Sequence, residues 1–118
     1  MKGFKEFPSI QMCINPIDFR KGMYSLSCAI ESYFDEKPFS ETLFLFTNKS
    51  RRNIRAIYWD KTGLAMWSKA LEESKFPWPK NGEIKKLSLS HDQLNWILTG
   101  IDPWKIKPHK ELHYSIIT

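Results

Sequence analysis

The sequence predicts an α+β fold in which a small, mainly antiparallel sheet is packed by one long and one short helix. Its centre is the stretch 42–71, where three apolar runs rich in Leu, Ile, Phe, Tyr and Trp lie close together. Short polar segments at 48–53 and 60–63 separate the runs and favour hairpin connections, with Gly63 suited to a positive φ that closes the second turn. We therefore predict a three-stranded meander with strands at Thr42 to Thr47, Ile54 to Trp59 and Leu64 to Leu71.

Length and composition predict one domain spanning residues 1–118. The chain is 42% hydrophobic and 14% aromatic, which is enough for one core. Its net charge of +5 favours a polyanionic partner. Cys13 and Cys28 fit no metal or redox spacing, so we predict two reduced, buried thiols. Without a run of the ~20 apolar residues that a membrane helix needs, or an apolar leader, we expect a cytoplasmic protein.

The first strand and the long helix are predicted from the N-terminal third of the chain. Residues Ser9 to Ile14 alternate between apolar and other side chains, as a half-buried strand does. Asn15 is a suitable N-cap and Pro16 suits the first helical position, so the helix is predicted from Pro16 to Phe34. Its apolar stripe, at three- and four-residue spacing, is Phe19, Met23, Leu26, Ile30 and Tyr33.

A further strand and the short helix are predicted after the meander. The segment Ile84 to Leu89, with two lysines near its start, is typical of an edge strand. Ser90 and Gln93 form a capping box, which predicts a helix at 91–99 that ends at Gly100.

The densest cluster of cations lies on the first hairpin loop and the strand that follows it. No acidic residue occurs between positions 48 and 57. Cations in this arrangement suit a phosphate backbone, and two more at the helix start would extend the footprint if the two regions are neighbours. The alternative is an ordinary solvated loop. The predicted nucleic-acid-binding residues are Lys49, Arg51, Arg52, Arg55, Arg20 and Lys21.

The segment Phe76-Pro77-Trp78-Pro79 is predicted to be stiff and extended, because two prolines flank a tryptophan. Phe76 and Trp78 are candidate partner-binding residues, since aromatic side chains often anchor protein interfaces. The alternative is that the segment plugs one end of the sheet.

Candidates for catalysis or metal binding are weak. Asp18, Asp60 and Asp102 are evenly spaced, as a carboxylate triad of a small metal-dependent nuclease would allow, but each has a simpler place at a helix start, a turn or a helix end. His109 and His113 form a four-residue pair with no third ligand at convincing spacing. We therefore predict no catalytic residue, no metal and no cofactor.

Several ordered motifs resemble one protein family. The chain is similar to TnpB, the accessory protein encoded by the second reading frame of IS-sixty-six type bacterial insertion sequences. The resemblance covers a core of about 10–102 and leaves the tail, 103–118, unmatched. Phe19 stands where the family has Met, and Ser74-Lys75-Phe76 stands where it often has Gly-Arg-Phe. The matching blocks are Pro16-Ile17-Asp18-Phe19-Arg20-Lys21-Gly22, Pro38-Phe39-Ser40, Leu43-Phe44-Leu45-Phe46, Asn48, Arg51-Arg52, Ile54-Arg55, Tyr58-Trp59-Asp60, Gly63, Trp67, Lys69, Leu71-Glu72, Phe76-Pro77-Trp78-Pro79 and Leu98-x-Gly100-Ile101-Asp102.

This resemblance implies a helper in DNA transposition, encoded beside a separate and larger transposase that carries the catalytic triad. The implied partners are DNA at the insertion-sequence ends, the transposase and the element's other accessory protein, with a second copy of the chain as a further candidate. The resemblance implies that the chain is not an enzyme. The alternative is an interaction module that binds the transposase without touching DNA.

Overall fold

The computed structural model describes residues 3–34, 41–79 and 84–104. Within these residues, two single 3₁₀ turns, Phe4–Glu6 and Phe19–Lys21, accompany five strands and two helices. The regular elements are β1 (Ser9–Cys13), α1 (Gly22–Phe34), β2 (Thr42–Thr47), β3 (Asn53–Asp60), β4 (Gly63–Ala70), β5 (Lys86–Ser88) and α2 (His91–Leu98).

One sheet in the order β4-β3-β2-β1-β5 connects all five strands. The predicted antiparallel meander is confirmed, because β3 pairs with both β2 and β4 in antiparallel registers. The edge strand is confirmed too: β5 pairs antiparallel with β1. The β1–β2 pair is parallel, because the connection between the two strands passes through α1. This crossover brings the chain back to the end of the sheet at which β1 begins. The architecture is therefore α+β, as predicted.

Both faces of the sheet are covered, which explains why all six residues of β2 are buried. On one face α1 packs Leu26, Ile30 and Phe34 against Phe44 and Phe46 of β2. On the other face, α2 and residues from outside the regular elements cover the second cluster of apolar side chains. Members of that cluster include Phe7, Ile10, Met12, Leu45, Phe76, Trp78, Leu94 and Ile97.

The long helix begins six residues later than predicted. Asp18 caps the 3₁₀ turn Phe19–Lys21 instead, and its side chain accepts a hydrogen bond from the Arg20 amide. Gly22, the first residue of α1, adopts φ +77° and ψ −165°, and the helix then extends to Phe34. The local capping pattern misled the prediction because Ile17 N donates to Thr47 O at 2.9 Å, a distant contact that holds this segment against the end of β2.

Gly22→Ala should destabilise the fold by about 1–3 kcal/mol, because its φ and ψ belong to a region that side chains with a Cβ rarely adopt. A Cβ at this site would meet no atom within 4 Å, so the penalty comes from the backbone rather than from a clash. Gly63→Ala is the matched control, since Gly63 also has open space but lacks a positive φ. Urea unfolding of both variants checks the prediction, and equal midpoints would contradict it.

The remaining helix and turn predictions have mixed outcomes. The capping box is confirmed: Ser90 accepts from Gln93 N at 3.1 Å and Gln93 Oε1 accepts from Ser90 N at 2.9 Å. Gly100 ends α2 with φ +90°. The prediction for Gly63 is wrong, because Lys61 takes the left-handed conformation, at φ +56°, and Gly63 already pairs with Asp60 as a strand residue.

The two cysteines lie in contrasting environments, so only half of the prediction for them is confirmed. Both are free thiols, but Cys28 is exposed on α1 whereas Cys13 is buried. Burial raises the pKa of the Cys13 thiol from 9.0 to about 11, although a backbone hydrogen bond with Asn15 acts in the opposite direction.

A disulfide-exchange reagent at pH 8 should therefore modify one thiol per native chain rapidly and the second only in denaturant. Cys28→Ser should remove the rapid phase, and Cys13→Ser should leave it intact. Because the folded-state pKa of Cys13 is raised, this thiol contributes stability below pH 9 that is lost as the pH rises toward 11. Two equally fast thiols in the native protein would contradict the burial of Cys13.

A late strand predicted at Tyr114 to Thr118 lies outside the described residues. Within 3–34, 41–79 and 84–104, none of the helices has the length and apolar character needed to cross a bilayer.

Candidate nucleic-acid interface

An open groove of about 890 Å³ separates the segment before α1 from the β2–β3 loop. We call it the basic groove. Its charged lining residues are Arg20, Lys49, Arg51, Lys75 and Asp18. Four cations thus face one carboxylate in a concave surface that is open to solvent.

Two contacts bring the segment before α1 and the basic loop together to form this groove. The first is the hydrogen bond from Ile17 N to Thr47 O at 2.9 Å. The second is made by Arg55 on β3, which donates from Nη1 to Phe19 O at 3.1 Å and stacks its guanidinium 4.5 Å from the centroid of the Phe19 ring. Arg20 therefore lies on the same side of the molecule as the loop, which is the condition for one continuous footprint.

The conformation of the β2–β3 loop positions Lys75, the fourth cation of the groove. Arg51 adopts a left-handed φ of +61° and its amide donates to Asn48 O at 3.0 Å. Its carbonyl accepts a hydrogen bond from Phe76 N at 2.8 Å, which holds Lys75 beside the loop. Lys75 was missed by sequence reasoning because it lies far along the chain from Arg51. The only available indication was the resemblance to a family with Arg at this position.

The one carboxylate that lines the groove within 3–34, 41–79 and 84–104 is already paired. Asp18 and Arg20 form two side-chain contacts, Nε to Oδ1 and Nη2 to Oδ2, both at 3.0 Å. These bonds, together with the one from the Arg20 amide, hold the pKa of Asp18 at about 2. Asp18 therefore stays ionised near neutral pH, and its charge is largely balanced by Arg20. Among the described residues no carboxylate pairs with the other cations of the groove, Lys49, Arg51 and Lys75, so these carry its unbalanced positive charge.

The other predicted cations occupy different positions. Arg55 lines a smaller concavity of about 380 Å³, which shares Phe19 and Asn48 with the basic groove. Arg52 is exposed and donates from Nη1 to Glu72 O at 3.1 Å. Lys21 is exposed and does not line the groove. Of the six predicted residues, Arg20, Lys49 and Arg51 share the groove, Arg55 adjoins it, and Arg52 and Lys21 lie outside it.

The aromatic segment at 76–79 is not an exposed docking surface. Phe76 and Trp78 keep only 2% and 6% of their surface exposed. Trp78 Nε1 donates to Cys13 O at 3.1 Å and to Ile14 O at 3.2 Å, so the indole is held at the end of β1. This position matches the alternative given above, in which the segment plugs one end of the sheet. The prolines keep the segment extended, which lets both aromatic rings turn inward.

The three aspartates of the nuclease alternative occupy separate places. Asp18 pairs with Arg20, Asp60 ends β3, and Asp102 Oδ1 accepts from Trp104 N at 2.9 Å. Across the part of the chain that the structure describes, no three His, Cys, Asp or Glu side chains come together as a metal site requires. The nuclease alternative therefore lacks the convergent carboxylates that it needs.

Comparison with known proteins places the chain in a family. The model of the IS66 Orf2-like protein family matches residues 8–108. Two proteins of Sinorhizobium fredii (strain NBRC 101917 / NGR234) are similar: y4jC, 32% identical over 100 residues and 83% of each chain, and y4hO, 31% identical over 88 residues and 75% of each. No solved structure matches. The match contains the predicted core, and the chain therefore belongs to the IS66 Orf2-like family, the transposition-associated accessory proteins of IS66-type insertion sequences.

Proposed function

We propose that this chain is a non-catalytic, cytoplasmic accessory protein that contacts DNA through the basic groove during transposition. The observation that carries the proposal is the placement of Arg20, Lys49, Arg51 and Lys75 around one groove in which the one acid from the described part of the chain is already paired. Lysine and arginine side chains on such a surface neutralise phosphates and release counterions, which supplies most of the affinity of a non-specific DNA contact.

The contacts already described give the four cations of the groove different roles. Lys49 and Lys75 are exposed and reach phosphates as mobile point charges. Arg51 is half-buried in the loop and is held by backbone contacts on both its amide and its carbonyl, so it presents a more ordered cation. When DNA is bound, Arg20 gives up part of its contact with Asp18 and contacts a phosphate instead. Phosphate contacts set position and do not read bases. We therefore propose binding to the insertion-sequence ends and to other duplexes alike.

The alternative function is binding of the transposase without DNA contact. The exposed aromatic surface expected for it at Phe76 and Trp78 is buried, so the observation that first favoured this function no longer supports it. The transposase and the element's other accessory protein remain proposed partners, through surfaces other than this segment.

Fluorescence anisotropy with a duplex carrying the element's terminal repeat, and with a scrambled duplex, tests the proposal. The informative variant is Lys49→Gln/Lys75→Gln, which removes two groove cations. Lys5→Gln/Lys85→Gln is the matched control, because it removes the same charge from exposed positions outside the groove. We expect both duplexes to bind the intact chain and the control, and the groove variant to bind at least tenfold more weakly. Equal weakening by the two double variants would contradict the assignment of the groove.

A further inference from the structure

The two edges of the sheet are protected very differently. β5 is three residues long and carries Lys86, with Lys85 just before it. β4 is eight residues long, and none of its residues is fully buried. Exposed edge strands of this length are usually blunted by proline, bulges or charge. β4 has no proline, its ladder with β3 is continuous, and its one charged residue, Lys69, is tied from Nζ to Leu98 O at 3.0 Å.

The backbone groups on the outer side of β4 follow from its pairing with β3. Leu71 N donates to Arg52 O at 2.8 Å, directly after the Asn53–Ala70 pair of the ladder. Bonded and non-bonded pairs alternate along an antiparallel ladder, so Ala65, Trp67 and Lys69 also bond to β3. Within the described residues no strand pairs with the other side. The outward-facing amides and carbonyls therefore belong to Leu64, Met66, Ser68 and Ala70.

We propose that β4 pairs antiparallel with β4 of a second copy of this chain, so that one sheet runs through both copies. The four outward-facing residues are symmetric about Trp67. A two-fold axis at Trp67 sets Leu64 opposite Ala70 and Met66 opposite Ser68 of the second copy. In this register every outward-facing residue of both strands is hydrogen-bonded. A shift by two residues in either direction leaves part of the edge unpaired. The strand is thus complementary to itself, as a symmetric dimer interface must be.

The side chains are compatible with the same register. Trp67 meets Trp67 of the second copy at a non-hydrogen-bonded position, where cross-strand side chains approach closely and aromatic pairs stabilise a sheet. On the other face, Met66 is 41% exposed and would be covered. Just outside the strand, the register brings the turn that carries Lys61 of one copy to the same end of the pair as Glu73 of the other, and both side chains are exposed. Opposite charges at both ends of the pair favour a second copy over an unrelated strand.

The molar mass of the full chain in solution, measured by light scattering over a range of concentrations, tests the pairing. Ser68→Pro removes an outward-facing amide donor without touching the ladder to β3, so it should shift the mass from dimer to monomer. Ser88→Pro is the matched control on the opposite edge. Leu89 N donates to Ile10 O at 2.9 Å, so the Ser88 amide also faces outward, and this variant should remain dimeric.

Amide exchange of the intact protein gives a second measurement that needs no variant. In the dimer, the amides of Leu64, Met66, Ser68 and Ala70 should exchange slowly, and dilution to the monomer should speed their exchange at least tenfold. A monomer at high concentration overturns the proposal. If its outward amides exchange slowly, another part of the same chain covers β4. If they exchange fast, the edge is free. A dimer that persists in Ser68→Pro also overturns it, because the contact then lies on another surface.

Discussion

Trp78→Ala should cost about 3–5 kcal/mol of folding free energy, a large share of the roughly 5–15 kcal/mol that stabilises a typical domain. The indole is 6% exposed and packs in the cluster on the α2 face of the sheet. Its Nε1 also supplies hydrogen bonds to the carbonyls of Cys13 and Ile14, which would lose that donor. Urea unfolding followed by circular dichroism measures the loss as a lower midpoint.

Two further substitutions separate the causes of this effect. Trp78→Phe keeps most of the apolar burial and removes the donor, so we expect a smaller loss of about 1–3 kcal/mol. Trp96→Ala removes an indole that is 38% exposed on α2, and we expect a change within about 0.5 kcal/mol. An unchanged unfolding midpoint for Trp78→Ala would show that this side chain is available to a partner after all.

The affinity of the intact chain for duplex DNA should fall roughly 10²-fold between about 50 and 200 mM salt. This fall is expected when Arg20, Lys49, Arg51 and Lys75 each meet one phosphate. At roughly −0.9 per contact, the slope of log K against log salt is then about −3.6. Anisotropy titrations at four or more salt concentrations measure this slope. A slope near zero would mean that the cations of the groove remain solvated.

The meander and the short helix were predictable because local patterns decide them. The apolar run Thr42 to Thr47 and the polar breaker after it define β2 and its hairpin, and Ser90 with Gln93 satisfies the first amides of α2 within four residues. Neither pattern depends on a distant contact. Local rules were therefore sufficient for these elements.

The start of α1 was predicted wrongly, and the position of Trp78 was left between two alternatives, because distant contacts decide both. Asn15 and Pro16 satisfy the local rules for a helix start, yet the bond from Ile17 N to Thr47 O keeps this segment out of the helix. Trp78 finds its hydrogen-bond acceptors on residues more than sixty positions earlier in the chain. A single sequence contains no record of such pairings.

The candidate site was predictable in part for the same reason. Lys49 and Arg51 are close together in the chain, so their shared loop was visible as a cluster of charge. Arg20 could be assigned to the footprint only on condition that the helix start lies beside the loop, and the Arg55–Phe19 contact meets that condition. Lys75 joins the groove through the bond from Phe76 N to Arg51 O, which no local pattern indicates.

The salt dependence of DNA binding, compared between the two double variants, shows whether the basic groove holds the phosphate backbone. Removing two phosphate contacts should reduce the magnitude of the slope by about 1.8, so Lys49→Gln/Lys75→Gln should show a slope of about −1.8 while Lys5→Gln/Lys85→Gln keeps about −3.6. This comparison cancels the effect of net charge, because both variants lose the same two positive charges. If the two slopes are equal, the basic groove does not hold the DNA backbone.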